Sequence, residues 1–164
     1  MNRIDRLENI SIHILREAYS EFKNLCMLWS IGKDSTVLLY LAKRAFFGHV
    51  PFPLVHIDTH YKIPEMIEYR DSLAKKWKLD MIYGENTEVL DQKKTFPDGN
   101  VGRVECCQLL KTEALWATLS GKGARFRLNH ETGQYDQDSN HEPYTGVIAG
   151  IRSDEEGSRS KERY

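Results

Sequence analysis

One pattern constrains this chain more than any other: a short apolar run opens into a polar knot, and a helical repeat follows. Residues 25–29 read LCMLW, an unbroken apolar run of the kind expected from a strand covered on both faces. SIGKDS follows, and Val37, Leu38, Leu41, Ala42 and Ala45 then recur at helical spacing from about Ser35 to Phe47. The pattern returns with LVHIDT (54–59) and a helix from Pro64, well placed in a first turn, to Lys78. Its inward side is predicted to hold Met66, Ile67, Leu73, Ala74 and Trp77. LDMIYG (79–84) reads as a third strand, residues 105–119 as a fourth helix, and GVIAGIR as a returning buried strand. Strands alternating with helices predict an α/β fold with an open, mostly parallel sheet and helices on both faces.

Right-handed crossovers bring the carboxyl ends of parallel strands to one edge. Three polar clusters follow strands here, SIGKDS, DTHYK and RSDEEGSR, so the topology gathers them at the rim where such sheets bind ligands. Elsewhere the chain is less regular. Residues 4–23 carry Ile4, Leu7, Ile10, Ile14, Ala18 and Phe22 at helical spacing, a helix expected to close the core, with a docking surface as the alternative. FPDGN marks a turn within the polar stretch 85–103, and residues 121–146 form either a hairpin or a mobile excursion.

Bulk composition narrows the function classes. The 164 residues suit one domain that buries roughly two-thirds of its unfolded surface. Lys plus Arg (23) nearly balance Asp plus Glu (24), so no global field favours nucleic acid or an anionic membrane, and any anion site must be built locally. No apolar stretch is long enough to span a bilayer, and charge runs through the N-terminus where a secretory signal would be apolar. Cys26, Cys106 and Cys107 form no disulfide framework, which points to a reducing, cytoplasmic location.

The loop chemistry has two readings. In SIGKDS, Gly32 is expected to let the backbone turn tightly, so that successive N–H groups face an anion at the positive end of a helix. Ser30 and Ser35 offer hydroxyls, Ile31 its backbone, and Lys33 a mobile charge; Asp34 either caps the helix or meets a metal-bound phosphate. An ordinary strand-to-helix turn is the other reading, and this is not the Walker pattern with its two glycines. Asp58 either ligates Mg²⁺ or caps a turn. His56 and His60, on a strand, would lie roughly 13 Å apart, too far for a metal pair. Arg152, Arg159, Lys161 and Arg163 surround acidic residues in the last segment; arginine forks suit tetrahedral oxyanions, and Lys111 either adds charge or is a surface lysine.

Ser-x-Gly-x-Asp-Ser after the first strand resembles the pyrophosphate loop of the N-type ATP pyrophosphatases. MLWSIGKDSTVLLYLAKRAF, PFPLVHIDTHYKIPEMIEYRD, LLKTEAL and GIRSDEEGSRSKER are similar, in order, to segments of the sulfate adenylyltransferase small-subunit family. Adenylyl-sulfate and phosphoadenylyl-sulfate reductases are its relatives. The resemblance implies an adenine nucleotide alpha-hydrolase-like fold in a single domain over 1–164, lacking the C-terminal extension usual in the family. It implies ATP and Mg²⁺, nucleotidyl transfer to sulfate giving adenylyl sulfate and pyrophosphate, and a GTPase large subunit as partner. By the same resemblance Ile57, Asp58 and Thr59 lie on the adenine and ribose side, Ser30 to Ser35 hold the pyrophosphate, and Lys33, Arg152 and Asp154 are catalytic. Lys111, Arg152 and Arg159 would meet sulfate or another oxyanion. The alternatives are a thiol-dependent reductase of adenylyl sulfate or its 3′-phosphorylated form, and an ATP-binding module without its own chemistry. Four thiolates are normally needed for an iron–sulfur cluster, so none is expected from Cys106, Cys107 and the strand residue Cys26.

Overall fold

The computed structural model describes residues 2–151. A helix, α1 (Arg3–Glu21), precedes three strand–helix units: β1 (Leu25–Leu28), α2 (Lys33–Ala45), β2 (Leu54–Ile57), α3 (Pro64–Trp77) and β3 (Met81–Glu85). Short α4 (Thr87–Asp91) follows. A continuous helical rod then runs through α5 (Arg103–Cys107), a π-helical stretch at Gln108–Glu113 and α6 (Ala114–Leu119). The hairpin β4 (Ala124–Leu128) and β5 (Tyr135–Gln137) comes next, and β6 (Gly146–Ile148) is the last described strand.

The strand order is β5-β4-β3-β2-β1-β6. β6, β1, β2 and β3 are mutually parallel, and β4 alone runs against its neighbours. The sheet is therefore mostly parallel, as the alternation predicted, and residues 121–146 take the hairpin reading. β1, β2 and β3 step across the sheet in one direction, so right-handed crossovers set α2 and α3 on the same face. α1 packs on α2 beside them. α6 covers β3 and β4 on the other face, where a Cβ on Gly84 would overlap the Thr118 side chain.

Alternation along the strands divides the core in two. Leu25, Met27 and Trp29 join Leu54, Met81, Leu39, Ala42 and Ala74 beneath the first three helices. Cys26, Val55 and Ile82 are equally buried but point the other way. Each fully buried Leu, Met or Val among these stabilises the fold by about 1.5–3 kcal/mol relative to exposure. On the α6 side the buried Arg125 donates through Nε to the Thr118 carbonyl (2.8 Å) and through Nη1 to the carbonyls of Asn140 and Glu142 (3.2 Å each). Its guanidinium lies 4.9 Å from the Tyr144 ring, so one side chain ties the return segment before β6 to the end of α6.

Several expectations about faces need correction. A reciprocal cap between Asn2 and Asp5 starts α1, but the helix meets the core through Leu15, Ile12 and Ala18. Ile4, Leu7, Ile10 and Phe22 remain exposed; the first half of α1 meets α2 through a polar contact, Glu8 with Arg44 (2.6 Å). In α2, Leu39 and Ser35 are buried while Val37 is exposed; the true stripe is rotated from the apolar reading. β2 stops at Ile57 rather than Thr59, since Asp58 begins a turn with its carboxylate accepting the His60 N–H. In α3 the buried pair is Arg70 and Ala74, and Met66 and Ile67 are only half-buried.

Candidate functional site

The parallel strands deliver four chain segments to one edge of the sheet. The first is the loop Ser30–Ser35. Ile31, not Gly32, holds the left-handed backbone here (φ 68°) with its side chain buried. A β-branched residue in that region is strained, by about 1–3 kcal/mol, and such strain gathers at functional turns. Gly32 is extended (φ −71°, ψ 165°), correcting the expectation that it makes the bend. A Cβ there would meet only Ser30 Oγ at 3.4 Å, so the absent side chain leaves open space in front of the helix.

No described side chain caps α2, so Asp34 does not take the capping role. The first N–H groups of α2 and the positive end of its dipole face outward. Ser30 and Ser35 hydroxyls lie 3.0 Å apart, and Ser35 Oγ donates to the Gly32 carbonyl (3.1 Å), which fixes the loop from within. Lys33 and Asp34 are exposed at its mouth. Behind it, the Trp29 carbonyl accepts from His56 Nδ1 (2.9 Å), which binds the loop's root to β2. Burial, helped by the charge of Lys62, pushes the His56 pKa down to about 4 and keeps the ring neutral.

The second segment follows β2. Asp58 is half-buried and Thr59 buried. Burial works to raise the Asp58 pKa, but the His60 N–H and the charges of His60, Arg70 and His56 outweigh it, and the carboxyl sits below its usual range. His60 Nε2 donates to Glu85 at the end of β3 (2.6 Å), while His56 bonds Trp29, so the two rings serve different partners. Lys62 Nζ donates to the Ile57 carbonyl (2.7 Å). Burial lowers the Lys62 pKa; Asp58 opposes this, and the like charges of Arg70 and Lys111 add to it.

Lys111 is exposed and near enough for its charge to act on Lys62. It rides on the π-helical stretch, where Asn86 Nδ2 donates to the Leu109 carbonyl (3.2 Å) and ties the rod to the loop after β3. A cavity of about 520 Å³ opens beside these groups, lined by Asp58, His60, Lys62, Glu68 and Asp71 among others. The fourth segment arrives from β6, where a Cβ on Gly150 would stand 3.4 Å from Ser35 Cα. Arg152, Asp154 and Arg159, with Lys161 and Arg163, lie outside the described residues. Cys106 is buried against Val89 and Leu110, and Cys107 is exposed.

The structure thus gathers Ser30–Ser35, Ile57, Asp58 and Thr59 along one edge, and the charge of Lys111 acts on Lys62 there. Sequence reasoning passed over Lys62 and Arg70. Lys62 stood in the polar cluster after the second strand. Arg70 carried a signal too: it sits four residues after Met66 and four before Ala74, a charged residue inside an apolar stripe.

A mostly parallel sheet whose carboxyl edge carries the N-terminus of α2, without a side-chain cap, beside a cleft of mixed charge defines an α/β domain with its cleft at the strand ends. The chain belongs to the phosphoadenosine phosphosulfate reductase domain family, whose profile matches residues 24–164. This agrees with the resemblance carried by its ordered motifs and with the adenine nucleotide alpha-hydrolase-like fold. It is 43% identical over 159 residues to sulfate adenylyltransferase subunit 2 of Agrobacterium fabrum, covering 96% of this chain and 43% of that one. It is 39% identical over 162 residues to the protein of that name in Shewanella loihica, covering 98% and 46%. The chain therefore spans less than half the length of these curated relatives. Among the described residues, no helix is long and apolar enough to cross a membrane.

Proposed function

We propose that this chain carries the nucleotide site of a sulfate adenylyltransferase and makes adenylyl sulfate and pyrophosphate from ATP and sulfate. The observation that carries the reading is the open, uncapped N-terminus of α2 behind Ser30, Gly32 and Ser35, at the edge where Asp58 and Lys62 also end. Similarity to sulfate adenylyltransferase subunit 2 along nearly the whole chain supports it.

In this mechanism a sulfate oxygen attacks the α-phosphorus of ATP in line. The bond from that phosphorus to the bridging oxygen breaks, and its electron pair leaves with pyrophosphate. Sulfate is already an anion, so no proton needs abstraction, and catalysis rests on positioning and charge neutralisation. The amides of Lys33 to Ser35, the Ser30 and Ser35 hydroxyls and the Lys33 ammonium hold the leaving pyrophosphate. Ile57, Asp58 and Thr59 line the adenosine side. Lys111, with Lys62 beside it, meets the oxyanion, and Arg152, Asp154 and Arg159 complete that role from beyond the described residues. Among the described residues no cluster of three or more metal-ligating side chains occurs. Mg²⁺ carried by ATP needs only one or two carboxylates, and the ionised Asp58 fits that demand. Bound there, Mg²⁺ would supply neutralisation of phosphate charge.

Adenylyl sulfate formation is strongly uphill, so a GTPase large subunit is the partner this reading requires, and the cytoplasm its compartment. The test is pyrophosphate release from ATP and Mg²⁺, measured with and without sulfate and with and without a GTPase large subunit. Sulfate-dependent release is the expected result. Sulfite release from adenylyl sulfate and a dithiol, with no sulfate-dependent turnover of ATP, would replace this reading with the reductase. MgATP binding without either reaction would leave a binding module.

A further inference from the structure

Arg70 stands in the middle of α3 and is only 3% exposed. Its guanidinium lies against the rings of Tyr83 and Tyr135, 5.4 Å and 5.1 Å from their centres. Nε donates to Asp71 Oδ1 (2.8 Å), and the Tyr135 hydroxyl donates to that same oxygen (2.8 Å). Three contacts therefore lock the plane of the fork. Nη1 has no hydrogen-bond partner among the described residues and ends 3.7 Å from Asp58 Oδ2. The other oxygen of Asp58 is held by the His60 N–H at 2.9 Å.

Burying an arginine is unfavourable unless its donors are met, and a buried donor left unmet is unfavourable in its own right. A guanidinium that only stapled α3 to the hairpin would not need a free Nη1 directed at a rim carboxylate. Asp58 and Asp71, which Arg70 touches on either side, both line the cavity at the strand ends. We propose that Arg70 is a positioning residue: it holds the Asp58 carboxylate in the orientation that meets the bound nucleotide and its metal. The assignment rests on the nucleotide reading above. Arg70 touches no substrate; it acts through Asp58, from a fork fixed by two tyrosines and Asp71.

The test is a double-mutant cycle on MgATP affinity, read by calorimetry on the full chain with melting temperature alongside. Arg70→Met and Asp58→Asn are each expected to weaken MgATP about tenfold or more, and the double variant to be no weaker than the poorer single within about twofold. Arg70→Lys should recover part of the loss, since it returns the charge without the fork. Should Arg70→Met fail to fold, the cycle of Arg70→Lys with Asp58→Asn carries the same test. Wild-type MgATP affinity in the Arg70 variants, at whatever melting temperature, would overturn the assignment and leave the nucleotide reading intact. So would losses that multiply in the double variant. Absence of MgATP binding by the wild type would instead sink the nucleotide reading, and this assignment with it.

Discussion

Arg125 and Arg70 are both nearly inaccessible, at 2% and 3% exposure, and both lie against tyrosine rings. They lie on opposite faces of the sheet and are satisfied in opposite ways. Arg125 directs its donors at the backbone carbonyls of Thr118, Asn140 and Glu142. Arg70 gives one donor to Asp71 and leaves Nη1 unpaired beside a rim carboxylate. A buried arginine whose hydrogen bonds close on the main chain is part of the scaffold. One whose Nη1 meets no hydrogen-bond acceptor and stands 3.7 Å from a rim carboxylate acts, in our proposal, on that carboxylate. Burial alone does not separate the two; the destination of each N–H does.

The comparison breaks most readily at Arg125. Arg125→Met removes the hydrogen bonds that one charged donor group makes to three carbonyls, each worth about 1.5–3 kcal/mol. Unfolding should be about 4 kcal/mol easier, with faster amide exchange around residues 138–145, while MgATP affinity of the folded fraction stays within twofold of wild type. A specific loss of nucleotide affinity would erase the distinction between the two arginines.

His56 supplies the next test, because it is a buried base kept neutral. The unfolded ring protonates near 6.5, whereas the folded ring does so near 4. Between those values the unfolded state binds more protons, so stability is fully present above about pH 6.5 and falls as pH drops toward 4. The loss reaches about 3 kcal/mol at most. Denaturant unfolding across that window should show the slope, and His56→Gln should flatten it.

Smaller effects probe the Arg70 fork. Tyr135→Phe removes the hydroxyl bonded to Asp71 and should lower stability by about 1 kcal/mol, read by denaturant midpoint. Its effect on MgATP affinity should be smaller than that of Arg70→Met, because the Asp71 contact to Nε survives. The smallest stability change belongs to the loop. Gly32→Ala has room for its Cβ and a backbone other residues adopt, so the midpoint should move by less than about 0.5 kcal/mol. MgATP affinity should nonetheless fall about tenfold, since the added methyl occupies the space a phosphate would approach. Unchanged affinity would remove the loop from the site.

Much of this arrangement was legible beforehand. The alternation of apolar runs with helical repeats called for a mostly parallel sheet, and parallel strands leave no choice about which edge receives SIGKDS and DTHYK. Side-chain faces were read less well. Ile4, Leu7 and Ile10 form a good stripe yet stay exposed, and periodicity reports amphipathicity without saying which part of a face finds a neighbour. Gly32 invited the inference that it makes the bend, whereas the left-handed residue is Ile31; composition names the flexible residue but not the strained one. Arg70 was hidden because a charge within an apolar stripe reads as an interruption until its partners are known.

By itself, then, the sequence determined the class of fold, the edge of the sheet that carries the polar clusters, and the loop that joins β1 to α2 there. All three follow from local periodicity and the handedness of the chain. Only the tertiary structure decided which buried charges are closed and which are open. That depends on Tyr135 reaching Asp71 across 64 residues of chain, and on Asn140 and Glu142 returning to Arg125 on the opposite face; hydrogen-bond satisfaction is a property of the assembled neighbourhood.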